Sequence, residues 1–166
     1  SSADQVNAVM SGNDVYQGLW SGHSYLNVFI CGNVKDGVAG YTHYPSNWYG
    51  TSMENGIWLR HTYVGSIGTG SIYRSRTFTH EVGHWLNLPH TWGSTNDPGL
   101  ISNCNTDDGV PDTPNTIGST SCNLTENSCG PTANVQNYME YSGCRIMFTY
   151  GQSTKMRTAI NSTIGG

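Results

Sequence analysis

Eleven residues with the sequence H-E-V-G-H-W-L-N-L-P-H, from His80 to His90, constrain the fold of this chain more than any other segment. His80 and His84 are four positions apart, so on a helix both imidazoles project from the same face, one turn apart. Two neutral imidazoles in this arrangement can ligate Zn²⁺ at about 2.0–2.1 Å. The chain must therefore form a helix here and then turn sharply, so that His90 joins the other two.

The residues around the motif predict this helix and its end. Apolar residues recur at helical spacing between residues 75 and 86. Asn87 is the best residue type after glycine for the left-handed conformation that ends many helices, and Pro89 prevents any continuation. His90 is therefore predicted to be the third protein ligand. Three ligands leave a fourth position for water, as in catalytic rather than structural zinc sites.

Glu81 follows the first ligand and is predicted to face a metal-bound water rather than the metal. Zinc lowers the pKa of such a water toward about 7, and the carboxylate can pass its proton to a leaving amine. The alternative is a helix with scattered surface histidines, but half of the chain's 6 histidines fall within this motif. His23, His43 and His61 have no partner at ligand spacing and are predicted to be structural or surface residues.

The composition favours a single exported domain. A chain of 166 residues can bury a sizeable core, and no apolar run is long enough to cross a bilayer. No signal-like segment opens the chain, so any export signal is expected to have been removed. A formal net charge of −4 provides no basic surface for nucleic acid. We therefore expect a secreted monomer with no nucleic-acid or membrane partner.

The cysteines also indicate an exported protein, because disulfides persist in oxidising compartments. Four of the 5 cluster in Gly-, Asn- and Thr-rich sequence that can bury little apolar surface: Cys104, Cys122, Cys129 and Cys144. Because no pair has C-x-x-C spacing, two disulfides are favoured over a zinc ribbon, and three pairings remain possible. Cys31 is then predicted to be a buried free thiol in a strand.

Three segments before the motif are predicted strands. Residues 25–31 are apolar and β-branched and predict a buried strand. Residues 40–44 alternate and stop at Pro45, which is typical of a short edge strand, and residues 56–64 predict a third strand. Regular periodicity then returns only at residues 150–160, which predict a C-terminal helix.

Several further segments resemble the pappalysin branch of the metzincins, the group that contains the ulilysin-like bacterial enzymes and cytophagalysin. Metzincins combine an extended three-histidine motif with a later Met-turn. The matching segments are Y-L-N-V-F-I-C at 25–31, G-Y-T-H-Y-P at 40–45, R-T-F-T at 76–79, H-T-W at 90–92, D-G-V-P-D-T-P at 108–114, N-Y-M-E-Y at 137–141 and M-F-T-Y-G-Q at 147–152. The resemblance covers about residues 25 to 157.

The resemblance implies an α/β metzincin-like catalytic domain with a twisted, mostly parallel sheet and an active-site helix. One domain over residues 1–166 is expected, with the sheet and helix in residues 1–90 and a loop-rich, disulfide-braced part in residues 91–166. Tyr41, Thr42, His43 and Tyr44 would form an antiparallel edge strand at the rim of the cleft. An extended peptide substrate could add to that edge by main-chain hydrogen bonds.

The resemblance also assigns individual roles. Met139 matches the Met-turn methionine, an apolar floor beneath the three imidazoles. Tyr141 matches a tyrosine that approaches the metal or stabilises the oxyanion, although as a residue type it also fits a packed aromatic. The family pattern pairs the first clustered cysteine with the third and the second with the fourth, which implies the disulfides Cys104–Cys129 and Cys122–Cys144.

The loop N-T-D-D-G-V-P-D-T at 105–113 offers clustered carboxylates, a turn-forming glycine and carbonyl oxygens, the ligands that Ca²⁺ prefers. It lacks the register of an EF-hand, and a bare turn is the alternative. Because family members bind calcium in this loop, the resemblance implies a structural calcium site in which Asp108 and Thr113 supply side-chain ligands.

The chain also departs from the family pattern. Asn87 replaces the usual glycine, and the interval from Met139 to Cys144 is short. Gly143 occupies the position of an aspartate that favours basic residues after the scissile bond, so this specificity is not implied. Residues 1–24 are too few for the further strand and backing helix of a metzincin, which predicts a trimmed or minimal N-terminus.

The sequence thus predicts a secreted zinc endopeptidase that acts on proteins or peptides. Two alternatives stand beside it. The first is a catalytically inactive binding module that keeps zinc for stability, which has no need of a general base such as Glu81. The second is a zinc hydrolase of a non-peptide amide or ester, which would use the same residues on another bond.

Overall fold

The computed structural model describes residues 5, 8–9, 11–13, 18–22, 24–35, 37–50 and 53–161. His23 lies outside the described residues. The chain folds into two compact units, Ser1–Trp85 and Leu86–Gly166. Each unit is described by itself, and the single domain with a division at residue 90 stays a prediction.

The first unit contains a three-stranded mixed sheet with the order β1-β3-β2. The strands are β1 (Val28–Cys31), β2 (Gly40–Thr42) and β3 (Ile57–Arg60). β1 runs parallel to β3, whereas β2 is antiparallel to it. The predicted antiparallel edge strand is therefore confirmed, although each strand is shorter than its sequence pattern.

Short 3-10 helices follow β2 and β3, so both strands end earlier than their sequence patterns. β2 ends at Thr42, and Pro45–Asn47 forms a 3-10 helix that Pro45 can begin because its φ angle suits the first turn. His61–Tyr63 forms another 3-10 helix directly after β3. His43 and Tyr44, predicted as part of the edge strand, therefore lie beyond its end.

β1 differs from its prediction as a buried strand. Val28 is 37% exposed and Ile30 57% exposed, whereas Ile57 and Leu59 in the central strand are 0% and 1% exposed. The reason is that strand side chains point out of the two faces of the sheet, so their burial depends on the elements that cover those faces. Cys31 in this strand carries a free thiol, as predicted, but it is half-buried.

The predicted motif helix is confirmed as α1, Arg76–Trp85. Its buried face consists mainly of motif and polar residues, while Phe78, one of the apolar residues at helical spacing, is 38% exposed. The Trp85 indole N–H donates to the Asn55 carbonyl at 2.7 Å and holds the C-terminal end of the helix. Asn87 has φ 70°, the left-handed conformation predicted for the helix end.

The second unit contains little regular structure apart from α2, Tyr150–Ala159. The Thr149 side chain accepts from the Gln152 backbone N–H, and the Gln152 side chain accepts from the Thr149 N–H, which forms a capping box. The disulfides Cys104–Cys129 and Cys122–Cys144 are both present. Each closes a loop of more than 20 residues and is worth about 3 kcal/mol in the chain-entropy account.

Asp112 ties the acidic loop to this helix. Its carboxylate accepts hydrogen bonds from the Gly151 N–H at 2.8 Å and from the Thr149 hydroxyl at 2.7 Å. The Gly151 N–H, followed by the Thr149 hydroxyl, lowers the pKa of Asp112. A carboxylate at this helix end also interacts favourably with the helix dipole. Both carboxylate oxygens of Asp112 are therefore engaged in hydrogen bonds at the start of α2.

Candidate zinc centre

His80 and His84 lie one turn apart on the buried face of α1. Their ring centroids are 4.6 Å apart and the rings are nearly perpendicular. The possible ligand nitrogens of His80, His84 and His90 all lie within 4.8 Å of one another, and all three residues are buried. Three imidazole nitrogens at this separation fit the ligand set of a catalytic zinc ion. The structure thus brings together the three histidines that the sequence predicts.

Neighbouring groups fix the orientation of two of the rings. His90 Nδ1 is 2.8 Å from the Thr95 carbonyl oxygen, which can only accept, so Nδ1 carries the proton. His84 Nδ1 is 3.3 Å from the Tyr44 hydroxyl. A ring that donates from Nδ1 leaves the Nε2 lone pair for a metal. The Thr95 carbonyl therefore favours the neutral His90 tautomer that zinc requires, and the Tyr44 hydroxyl is compatible with the same tautomer of His84, in which it accepts from Nδ1–H.

Tyr44 was predicted as a substrate-binding residue of the edge strand, and the structure places its ring against the imidazole of His84. The Tyr44 ring meets the His84 ring edge to face, with centroids 5.4 Å apart. Burial, followed by the negative charge of Glu81, raises the pKa of Tyr44. The hydroxyl therefore stays protonated and available for hydrogen bonding at neutral pH.

Replacing Tyr44 by phenylalanine removes the hydroxyl that faces His84 and leaves the ring. We expect zinc affinity to fall about 10-fold, because partners behind a metal ligand typically contribute about 10- to 100-fold. Competition with a chromogenic chelator measures this affinity. Tyr41→Phe is the matched control, since the Tyr41 ring faces Trp58, with centroids 6.3 Å apart. Equal zinc affinities for the two variants would contradict the assignment.

The general base predicted from the motif, Glu81, is 6% exposed. It lies against β2 at a point where the backbone comes very close. A Cβ built on Gly40 would be 2.7 Å from Leu59 Cδ2 and 3.2 Å from Glu81 Cγ. Glycine at position 40 therefore allows the helix to bring this carboxylate up to the strand.

Aromatic rings surround the third ligand. His90 stacks on Trp92 with centroids 4.3 Å apart, and Tyr141 meets His90 edge to face at 4.9 Å. Trp92 is fully buried, and its indole N–H donates to the same Thr95 carbonyl that accepts from His90. Sequence reasoning did not find Thr95, because a backbone carbonyl leaves no signal in the residue type.

Hydrogen bonds of side-chain amides hold the turn that carries Met139, and Asn137, Met139 and Glu140 in it are fully buried. The Met139 N–H donates to Asn137 Oδ1 at 2.9 Å. Asn137 and Gln152 exchange two side-chain hydrogen bonds, of 2.8 and 3.1 Å, so the turn is tied to the start of α2. Met139 is 0% exposed, as expected for an apolar floor. The role of Met139 beneath the imidazoles stays a prediction.

The other candidate substrate residues lie at the surface or in the sheet. Tyr41 is 38% exposed, whereas the Thr42 hydroxyl donates to the Gly56 carbonyl at 2.8 Å. His43 and His61 are exposed, in agreement with their interpretation as surface residues. Gly143 is exposed, and a Cβ added there would meet nothing within 4 Å.

Asp108 and Thr113 come together, as predicted for the calcium loop. Asp108 is 3% exposed, and its Oδ1 accepts from the Val110 N–H at 3.0 Å and lies 2.7 Å from the Thr113 hydroxyl. That hydroxyl is also 2.6 Å from the Val110 carbonyl, although it has only one proton to donate. The second oxygen, Oδ2, is buried without a hydrogen-bond partner among the described residues, and burial raises the pKa of Asp108.

The family and its relatives explain this combination of residues. The chain matches the family described as pregnancy-associated plasma protein-A over residues 9–161. The chain belongs to this family. An extracellular metalloprotease of Arthroderma otae is 32% identical over 144 residues, which cover 82% of this chain and 51% of that protein. Extracellular metalloprotease 1 of Coccidioides posadasii is 35% identical over 147 residues, 81% of this chain and 49% of that protein.

The structure of mature mirolysin from Tannerella forsythia, in complex with a cleaved peptide, is similar to this pappalysin-family chain with a TM-score of 0.79 and 30% identity. The match covers 99% of this chain and 63% of mirolysin. It confirms the metzincin-like α/β fold. The chain spans about half the length of the curated relatives it matches. In the part of the chain that the structure describes, no helix is both long and apolar enough to cross a membrane.

Proposed function

We propose that this chain is the catalytic domain of a secreted zinc endopeptidase that hydrolyses internal peptide bonds of proteins or peptides. The observation that carries the proposal is the cluster of His80, His84 and His90 within 4.8 Å, on the motif that also holds a buried glutamate. Family relatives named extracellular metalloproteases support both the activity and the compartment. The formal net charge of −4 offers no basic surface for nucleic acid, and we expect a monomer that binds neither nucleic acid nor membranes.

The residues of the site have separate tasks in this reaction. Zinc, when bound, acts as a Lewis acid on the scissile carbonyl and acidifies water. Glu81 takes a proton from the attacking water and delivers it to the leaving nitrogen. The Thr95 carbonyl keeps His90 in the required tautomer, and the Tyr44 hydroxyl orients His84 by a hydrogen bond at Nδ1. Tyr141, whose ring packs on His90, supplies a hydroxyl for the developing oxyanion.

The edge of β2 is the proposed docking site for the peptide. Within the described residues β2 pairs with β3 only, so its other edge can accept main-chain hydrogen bonds. Gly40 in this strand approaches Glu81, and Tyr44 just beyond it contacts His84. A peptide added along Tyr41 and Thr42, toward His43, therefore runs beside residues of the reaction centre.

Metal removal tests the proposed function directly. We expect the protein to cut casein at internal bonds, to lose this activity when a strong zinc chelator is added, and to regain it with one equivalent of zinc. Mass spectrometry of the fragments provides the cut positions. Internal cuts with a shared subsite preference are expected of an endopeptidase. A zinc-loaded protein that cuts no peptide in a broad library would favour the binding-module or non-peptide hydrolase alternative.

The Asp108 loop is the proposed calcium site. The buried Oδ2 without a partner, with the Thr113 hydroxyl and the Val110 carbonyl beside it, offers the oxygen ligands that Ca²⁺ prefers. The Lys155 ammonium donates to the Asp108 carbonyl at 2.8 Å, so one positive charge already lies at this loop. Asp112 is not proposed as a ligand, because its carboxylate caps α2.

Calcium is expected to stabilise the protein through Asp108. At about 100 times its dissociation constant, the ion should raise the free energy of unfolding by about 2.7 kcal/mol, because it binds only the folded state. Denaturant unfolding with calcium or with a calcium chelator measures the difference. Asp108→Asn should abolish it. Asp107→Asn, a change to the exposed neighbouring carboxylate, should retain it. A calcium effect that survives in Asp108→Asn would refute the assignment.

A further inference from the structure

Glu140 is a fully buried carboxylate to which the sequence assigned no role. It is 0% exposed and lies between Met139 and Tyr141. Burial raises the pKa of its carboxyl group, and hydrogen bonds from its neighbours partly oppose this shift. A buried carboxylate is costly unless several donors satisfy it. The identity of those donors therefore indicates what the residue holds in place.

The donors come from separate segments of the second unit. The Thr91 hydroxyl donates to Oε1 at 2.5 Å, and the Ser119 backbone N–H donates to Oε2 at 2.7 Å. The backbone N–H of Tyr141 also hydrogen-bonds to the carboxylate. The carboxylate of Glu140 thus connects three segments, at residue 91, at residue 119 and at the Met-turn. In sequence, Thr91 is 49 residues and Ser119 is 21 residues from Glu140.

The residues next to these donors belong to the proposed zinc centre. Thr91 directly follows the third ligand, His90, and Tyr141 directly follows Glu140. The rings of His90 and Tyr141 are in edge contact at 4.9 Å, and Trp92 meets Tyr141 at the same centroid distance. One carboxylate therefore holds the backbone on both sides of this ring cluster. A change of about 1 Å in such a position is enough to reduce catalysis strongly.

We propose that Glu140 is a positioning residue whose carboxylate holds the His90–Trp92 segment and Tyr141 at the distance that the reaction requires. The inference rests on the proposed endopeptidase function for its kinetic part. It also predicts weaker zinc binding, because a shifted Thr91 displaces the adjacent ligand. Glu140 does not itself touch substrate or metal in this assignment.

Glu140→Gln tests the proposal, with Glu126→Gln as its matched control. Glu126 is a partly exposed carboxylate of the same unit that accepts similar hydrogen bonds, from the N–H and the hydroxyl of Ser128. We expect Glu140→Gln to lower kcat about 10- to 100-fold and zinc affinity about 10-fold, the range found for groups that orient metal ligands. KM should change by less than about threefold, because no substrate contact is removed. The control should match the unmodified protein in all three quantities.

Thr91 variants separate positioning from simple destabilisation. Thr91→Val removes the hydroxyl that donates to Oε1, whereas Thr91→Ser keeps it. We expect the valine variant to lower kcat and zinc affinity as Glu140→Gln does, and the serine variant to restore both. The double variant Thr91→Val with Glu140→Gln should be little worse than Glu140→Gln alone, because both changes break the same link.

Two results would overturn the proposal. One is a Glu140→Gln protein whose folded, zinc-loaded fraction keeps the kcat and zinc affinity of the Glu126→Gln control. The other, decisive also if Glu140→Gln does not fold, is a Thr91→Val protein equal to Thr91→Ser in zinc affinity. Zinc affinity is measured without any substrate, so it decides the role of Glu140 even if the unmodified chain cleaves no peptide. The absence of cleavage by the unmodified chain would reject the proposed function alone.

Discussion

Replacement of Glu81 by glutamine is expected to reduce peptide hydrolysis about 10²- to 10⁴-fold while the protein keeps its zinc. The loss has this size because a positioned general base typically contributes that factor to the rate. Zinc binding should persist because the three histidines that form the cluster are unchanged. Glutamine has nearly the same size as glutamate, so the close approach of Gly40 to residue 81 is preserved.

The experiment measures kcat/KM on a quenched peptide substrate together with zinc content. Glu54→Gln is the control, since Glu54 is an exposed carboxylate of the same unit and should leave both quantities unchanged. A Glu81→Gln protein that retains more than about a tenth of the activity would remove Glu81 from its proposed role. Loss of zinc together with activity would instead indicate that Glu81 supports the ligands, and the rate change would then say nothing about the base.

Removal of the Cys122–Cys144 disulfide is expected to lower the stability of the protein strongly. For a sequence separation of 22, the chain-entropy account predicts a loss of about 3 kcal/mol from the free energy of unfolding. The unit that contains this bridge has little regular structure besides α2, so few other interactions can compensate. Cys144 also lies three positions after Tyr141, so the loss should loosen the segment that carries the proposed oxyanion contact.

Urea unfolding of the Cys122→Ala and Cys144→Ala double variant measures this loss. The control is Cys31→Ala, which removes a half-buried free thiol from β1 and should cost about 1 kcal/mol or less. The same double change at Cys104 and Cys129 should destabilise by a similar amount, since that loop is only slightly longer. A loss no greater than that of Cys31→Ala would show that the bridge constrains an already ordered segment.

The sequence predicted those features of the fold that depend on local interactions. The helix Arg76–Trp85 and its left-handed end at Asn87 follow from side-chain spacing and from the conformational preference of single residues. The C-terminal helix begins at the capping box of Thr149 and Gln152, which are three positions apart. The disulfide pairing followed from the family resemblance, because spacing alone allows three arrangements.

Predictions were less accurate where burial depends on distant residues. The apolar pattern of β1 indicated a buried strand, yet Ile30 is 57% exposed, because burial of a strand depends on the elements that cover it. The alternating pattern of residues 40–44 extended the edge strand to Tyr44, whereas the 3-10 helix at Pro45 ends the strand early and turns the Tyr44 ring toward His84.

By itself, the sequence determined the candidate zinc site of this protein: three histidines at ligand spacing, a glutamate beside the first of them and a residue that ends the helix between the second and the third. Tertiary structure decided what holds these groups in place. The Tyr44 hydroxyl reaches His84 across 40 positions, and the Thr91 hydroxyl reaches Glu140 across 49. Such contacts have no periodicity and no fixed spacing, because they depend on how the chain folds back, so only the folded structure identifies them.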